Sequence, residues 1–173
     1  MPTVATYNVV CVVLSALSLV FFSIGLWGHG SLYGLTASTP YASRYLLRGF
    51  KVYRITKILE LMDTVWMLLK GNRRQITGLH VFHHSTMLVL ADVGYSVVPF
   101  PSVSISLALN SFVHVVMYTY YLCRVLKVEV PESIKRRTTE LQIAQFIVLF
   151  AHALWGFARH NFCVYSLGYG VSM

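Results

Sequence analysis

The chain has 173 residues, of which 56% are hydrophobic and 12% are charged. Globular proteins carry charge on roughly a quarter of their residues, so this composition excludes an ordinary soluble domain and indicates an integral membrane protein. The net charge of +8 does not point to nucleic acid, because the basic residues gather at the edges of apolar segments, as they do in membrane proteins.

Hydropathy predicts five helices in chain order, at about residues 6–27, 50–69, 79–98, 103–122 and 139–158. Each is close to the length of about 20 residues that crosses the hydrocarbon layer. Glycine and proline interrupt the apolar runs, as at Gly28 and Gly30 after the first and at Pro99 and Pro101 after the third. We therefore predict an all-α transmembrane bundle of about five spans, forming one membrane-embedded domain over residues 1–173 around a cavity that faces the cytoplasm.

Basic residues set the predicted orientation. Two loops, at residues 70–78 and 123–138, are rich in lysine and arginine, so the positive-inside rule places them in the cytoplasm. A second group of basic residues would then fall on the opposite side of the membrane. We interpret part of that stretch as the interfacial start of the second helix, where long basic side chains can reach water. The residues in conflict are Arg44, Arg48, Lys51 and Arg54.

Polar side chains from four predicted helices fall at one depth. With a rise of about 1.5 Å per residue, they lie roughly 8 to 15 Å from the nearest cytoplasmic basic residues. Polar groups inside a membrane need partners, and four helices that supply them at one level can satisfy each other around a shared cavity. The layer comprises Glu60, Asp63, His80, His83, His84, His114, Gln142 and Gln145.

Each element of this layer also has a structural interpretation. Lys57, Glu60 and Asp63 could belong to an amphipathic interfacial helix or to an internal salt bridge. The histidine cluster and His114 could form hydrogen bonds between helices without taking part in chemistry, and the two glutamines could do the same. Tyr118 is typical of a core or interfacial aromatic residue.

Four motifs occur in a fixed order along the chain. They are K-x-x-E-x-x-D-T at 57–64, H-x-x-H-H at 80–84, V-H-x-x-M-Y-x-Y-Y at 113–121 and T-x-x-Q-x-x-Q-F at 139–146. One H-x-x-H-H is weak support, but the ordered set resembles the ELO family of very-long-chain fatty acid elongases, which are membrane condensing enzymes. Family members are usually longer, with seven spans. We therefore expect this chain to correspond to a shortened member without the first and last of them.

The resemblance implies a reaction. A long-chain acyl-CoA would condense with malonyl-CoA to give a 3-oxoacyl-CoA, carbon dioxide and CoA. Both thioesters would be substrates, and no bound cofactor is expected. The resemblance also implies a multi-pass protein of the endoplasmic reticulum membrane, with the other enzymes of the elongation cycle as candidate partners.

Roles can be assigned to the residues of the layer. We expect His83, with His114 as second choice, to attack the acyl thioester as a neutral imidazole. His80 and His84 would carry protons or donate to an enolate, and Asp63 or Glu60 would orient an imidazole. The expected substrate-binding residues are Lys57, Asn110, Tyr118, Gln142 and Gln145 near the reacting groups, and Arg73, Arg74, Lys135, Arg136 and Arg137 at the CoA phosphates.

Two other functions would also use intramembrane polar residues. A transporter or channel could relay protons through Glu60, Asp63 and the histidines. That function does not explain why the layer is confined to one half of the membrane. A di-iron desaturase or hydroxylase also uses H-x-x-H-H, but it needs about eight histidines in several boxes, and this chain has seven with no H-x-x-x-H box besides the H-x-x-H-H motif itself. The three separated cysteines suggest no metal site either.

Overall fold

The computed structural model describes residues 2–32, 34, 37–69, 71, 78–96 and 101–159, except for the side chains of residues 79, 80 and 94. These residues form five α-helices: α1 (Pro2–His29), α2 (Pro40–Leu69), α3 (Gly78–Ser96), α4 (Pro101–Val125) and α5 (Glu132–Arg159). No strand occurs among them. The predicted all-α class is confirmed.

Helix α2 begins at Pro40 and not near residue 50 as predicted. Arg44 and Arg48 therefore lie on the helix, as the interpretation of part of this stretch as the start of the second helix expected, but the predicted start near residue 50 was too late. Hydropathy detects only those turns that enter the apolar layer. The extra turns are held by packing instead, because Ala42 and Leu46 are completely buried. Ala42 packs beside Gly28 of α1, and Leu46 fills the space that a Cβ atom on Gly25 would need.

Helix α5 also begins early, at Glu132 and not near residue 139. Its first turns hold charged residues that the sequence assigned to a loop, and that assignment was wrong for the same reason. Local hydrogen bonds support these turns: the Thr138 hydroxyl donates to the Ile134 carbonyl. Arg136 donates to Glu140 one turn later, an i,i+4 pair that favours a helix.

Three of the helices, α1, α4 and α5, are long and apolar enough to cross a membrane. Helix α2 has sufficient length, at 30 residues, but it carries charged side chains at regular intervals from Arg44 to Asp63. The histidines and Asp92 lower the hydropathy of α3 in the same way. The three apolar helices indicate a membrane protein, in which α2 and α3 are the more polar helices.

Helix α1 packs along both α2 and α4, while α3 packs on α2 and α5 on α4. Helices α1 and α2 are antiparallel, because Tyr7 contacts Asp63 and Phe22 contacts Phe50 at 5.4 Å between ring centroids. The main apolar core draws on all five helices. Its buried residues are Phe22, Leu46, Phe50, Tyr53, Met87, Ala91, Val103, Leu107, Ala108 and Leu149.

The α1–α2 contact depends on Gly49. A Cβ atom at this position would lie 2.7 Å from the Phe22 ring, so the Gly49→Ala variant must displace this buried ring or the helix that carries it. We expect it to lose about 1–3 kcal/mol of stability, measurable as thermal unfolding in detergent micelles. Gly78→Ala is the matched control, because a Cβ there meets no atom within 4 Å. Equal unfolding temperatures for the two variants would contradict the close contact.

Candidate active site

A buried polar cluster joins α2 to α4. The Lys57 ammonium donates to Glu60 Oε2 at 2.7 Å and to Asn110 Oδ1 at 3.0 Å. The Tyr53 hydroxyl donates to the same Asn110 oxygen at 2.7 Å. His114 Nδ1 lies 2.8 Å from Glu60 Oε1, and its Nε2 lies 3.5 Å from the ammonium. Tyr53, Lys57, Glu60, Asn110 and His114 are called the buried polar cluster below.

Helical periodicity explains how the cluster forms. On α2 its members occupy positions i, i+4 and i+7, and on α4 they occupy i and i+4, so each set shares one face. Lys57 is 2% exposed and Glu60 is fully buried. Burying single charges is very costly, and they are retained only when paired and hydrogen-bonded. Here the ammonium and the carboxylate cancel, and the amide and imidazole complete their surroundings.

A second set of contacts lies one turn farther along α2. Both oxygens of Asp63 accept phenol hydrogen bonds, from Tyr7 of α1 at 2.9 Å and from Tyr118 of α4 at 2.5 Å. The Tyr118 ring also lies 5.7 Å from the His114 ring. Three helices therefore meet at Asp63, directly beside the buried polar cluster.

The histidine motif lies at the start of α3. His80 falls within the helix, but its side chain is outside the described part of the structure. His83 and His84 are half-buried, with ring centroids 5.5 Å apart. The His83 ring also lies 6.1 Å from Phe146 of α5. The motif thus stands where α3 and α5 approach each other.

Helix α5 contributes the two predicted glutamines. Gln142 contacts Met117 of α4, with 3.1 Å between Nε2 and Sδ. Gln145 is buried, at 4% exposure. Both precede Phe146, the residue that meets His83. The polar side chains of α5 therefore lie at the same end of the bundle as those of α2 and α4.

The basic residues predicted to bind CoA divide into two groups. Lys135, Arg136 and Arg137 are exposed on the first turns of α5. Arg136 and Arg137 both donate to Glu140, and these turns line a shallow surface pocket. Arg73 and Arg74 lie outside the described residues.

Sequence reasoning missed two members of the site. Tyr53 lies one turn before Lys57 on the same face, so extending the i, i+4 pattern of α2 would have found it. Tyr7 could not be found in this way, because α1 carries no motif and its register against Asp63 is a property of the packed bundle. The spacing of residues along α2 also does not predict that Asp63 accepts hydrogen bonds from two tyrosines.

The arrangement separates two kinds of histidine. His114 has a carboxylate near one ring nitrogen and an ammonium near the other, which suits an imidazole held in one orientation. The His83 ring instead contacts the rings of His84 and Phe146. Within the described ranges, no three histidine, cysteine or acidic side chains converge as metal ligands would.

Comparisons with known proteins agree with the motifs. Residues 1–168 match the family described as ELO: GNS1/SUR4 family. The chain is 32% identical over 145 residues to very long chain fatty acid elongase 5 of Xenopus laevis, covering 82% of this chain and 49% of that protein. It is 34% identical over 120 residues to elongase F of Drosophila melanogaster, covering 65% of this chain and 45% of the relative.

A third relative, very long chain fatty acid elongase 2 of Mus musculus, is 31% identical over 154 residues, with 86% of this chain and 52% of the relative aligned. The chain spans about half the length of the curated relatives that it matches. The family match extends across α1 to α5 and includes all four motifs. The protein is therefore a member of the ELO (GNS1/SUR4) family.

Proposed function

We propose that this chain carries the condensing site of a fatty acid elongase, which joins a long-chain acyl-CoA to malonyl-CoA and releases a 3-oxoacyl-CoA, carbon dioxide and CoA. The observation that supports it best is the buried polar cluster, in which two separate motifs supply a neutral set of charged and amide groups inside an apolar bundle. The H-x-x-H-H helix stands at the same end. Family membership supports the same reaction.

The reaction begins with acyl transfer to the protein. A neutral His83 nitrogen attacks the acyl thioester carbon, the carbon–sulfur bond breaks, and CoA leaves as the thiolate. His84, or His80 one turn away, takes the N–H proton that the acylated ring loses and supplies a proton to the thiolate. The product of this step is an acyl-imidazole in an environment from which the apolar helices exclude water.

Condensation follows when malonyl-CoA binds. Loss of carbon dioxide leaves an enolate, whose carbon attacks the acyl-imidazole carbonyl. The carbon–nitrogen bond then breaks, and a proton from His84 or His80 allows the imidazole to depart in its neutral form. Neutral amide donors suit the developing oxyanion, because they stabilise negative charge without forming a salt bridge to it. Asn110, Gln142 and Gln145 are the candidates. Lys57 and Tyr118 are also proposed to contact the substrates. Lys57 donates a hydrogen bond to Glu60, and Tyr118 donates one to Asp63.

The buried polar cluster supports the site by holding His114. Glu60 holds the imidazole at Nδ1, and the Lys57 ammonium compensates the charge of the Glu60 carboxylate. A residue held in this way can position an acyl carbonyl or hold a proton at one nitrogen. We retain His114 as the second candidate for the nucleophile, after His83.

An assay of carbon transfer tests the function. Membranes containing the full chain are given labelled malonyl-CoA with acyl-CoA substrates of several lengths. We expect label in 3-oxoacyl products two carbons longer than the acceptor. No label at any acceptor length, from well-folded protein, would contradict the activity of this chain. A version extended to the length of its relatives shows whether the additional spans are required.

Charge on the first turns of α5 is expected to affect CoA binding. We expect Lys135→Glu to raise the KM for the thioesters several-fold at low ionic strength, because it replaces attraction to the CoA phosphates with repulsion. The effect should shrink as salt is added, since the Debye length falls to about 10 Å at 0.1 M. Arg159→Glu, an exposed cation at the far end of the same helix, is the matched control. Equal changes in KM for the two variants would contradict this binding site.

The cellular setting is proposed on the same grounds. A protein of this family acts on lipid substrates within a membrane, and we propose the endoplasmic reticulum as that membrane. The 3-oxo product must be reduced before another cycle can begin, so the other enzymes of the elongation cycle are the proposed partners. Fractionation of a tagged full chain with markers for each membrane tests the location.

A further inference from the structure

Helix α2 presents a row of cations on its amino-terminal turns, which precede the candidate active site along the helix. Arg44, Arg48 and Lys51 are exposed and follow one another at i, i+4 and i+7, which places them on one side of the helix. These three residues are called the basic face below. The basic face belongs to no motif and has no part in the condensation chemistry.

No acidic side chain of this chain pairs with the basic face. The sequence contains six acidic residues, and all six lie in the described part. Two are in the candidate active site. One lies on α3 and pairs with Arg54 of α2, and three lie at or near the start of α5, at the other end of the bundle. They are Glu60, Asp63, Asp92, Glu129, Glu132 and Glu140.

Aromatic residues show the depth of the basic face. Trp27 is 90% exposed and Tyr41 is 54% exposed, and exposed tryptophan and tyrosine are typical of the headgroup level of a membrane. Tyr45 contacts Tyr41 at 4.8 Å between ring centroids, and the Arg48 guanidinium lies 5.4 Å from the Tyr45 ring centroid. The basic face is therefore at the level where lipid phosphates lie.

The remaining length of α2 supports this depth. Beyond Lys51, the exposed positions on the helix are apolar, including Ile55, Ile58 and Met62. Arg54 is the cation nearest this apolar stretch, and it is bonded to Asp92 at 2.6 Å. A cation within the hydrocarbon needs a partner in the protein, whereas one at the headgroup level can take its partner from the lipid.

We propose that the basic face binds the phosphate groups of anionic phospholipids in the leaflet at the amino-terminal end of α2. Two guanidinium groups and an ammonium can each donate to phosphate oxygens, and the planar guanidinium matches phosphate geometry in pairs of hydrogen bonds. Bound lipid would hold this end of α2 at a fixed depth. Binding of anionic lipid also explains how these basic residues are tolerated on the side of the membrane where the positive-inside rule disfavours lysine and arginine.

Photocrosslinking at Leu47 tests the proposal. This residue is 42% exposed and lies between Arg44 and Lys51, so a diazirine amino acid there samples what covers the basic face. The full chain is placed in nanodiscs of phosphatidylcholine and phosphatidylglycerol in equal amounts, and the crosslinked lipid is identified by mass spectrometry. We expect phosphatidylglycerol to be enriched by roughly fivefold or more, the equivalent of about 1 kcal/mol for one cation at a membrane surface.

Ile58 is the matched control position, since it is 48% exposed in the apolar part of α2 and should crosslink both lipids equally. The Arg44→Gln, Arg48→Gln, Lys51→Gln triple variant should reduce the Leu47 ratio to that of Ile58. An Arg44→Lys, Arg48→Lys variant, which keeps the charge, should retain the enrichment. Three results would overturn the proposal: equal lipid ratios at Leu47 and Ile58 in the parent chain, enrichment that survives the triple variant, or crosslinks at Leu47 to protein and not to lipid.

Discussion

The His83→Ala variant is expected to lose condensation by three or more orders of magnitude, a loss typical of removing a nucleophile that acts as a unit with its neighbours. The reason is chemical: without the imidazole, no covalent acyl group forms, and the two thioesters must react directly. Labelled acyl-CoA given alone separates this step from the rest. The parent chain should retain hydroxylamine-sensitive label, and the variant should not.

The fold should survive this change. His83 is only half-buried, and its described ring contacts are with His84 and Phe146. His29→Ala is the matched control, because His29 is a histidine at the opposite end of the bundle that accepts a hydrogen bond from the Ser38 amide. It should keep full activity. If His83→Ala still acquires label from acyl-CoA, the assignment passes to His114, and His114→Ala should then abolish it.

The Lys57→Met variant is expected to lose about 3–5 kcal/mol of stability, the usual cost of removing one partner from a buried pair. Glu60 would remain fully buried with its charge uncompensated. Adding Glu60→Gln removes that charge, so the double variant should be more stable than Lys57→Met alone. Thermal unfolding in detergent micelles measures Lys57→Met, Glu60→Gln and the double variant, and strongly non-additive changes are expected from residues in direct contact.

Lys51→Met is the matched control for stability. It removes the same kind of side chain from an exposed position of the same helix, and surface changes of this kind usually stay within about 0.5 kcal/mol. Additive losses in the double variant would contradict the pairing of Lys57 with Glu60. A loss from Lys51→Met as large as that from Lys57→Met would contradict the distinction between the buried and the exposed lysine.

The extent of the helices shows where hydropathy fails. It located all five but began α2 and α5 too late, because their first turns carry charge and lie outside the apolar layer. The turns of α2 are fixed by contacts such as Leu46 against Gly25, which involve another helix. Those of α5 are fixed by Arg136 and Glu140 on the helix itself, so that signal was present in the sequence as an i,i+4 pair.

By itself the sequence determined that the protein is a membrane protein, that it is helical, and that Lys57 shares a face with Glu60 and Asn110 with His114. These properties follow from composition and from the period of one helix, which each segment carries locally. Only the tertiary structure decided that the two faces meet, that Tyr7 reaches Asp63 and that the basic face has no acidic partner. Such pairings depend on the rotation and offset of one helix against another, and packing of distant residues sets both.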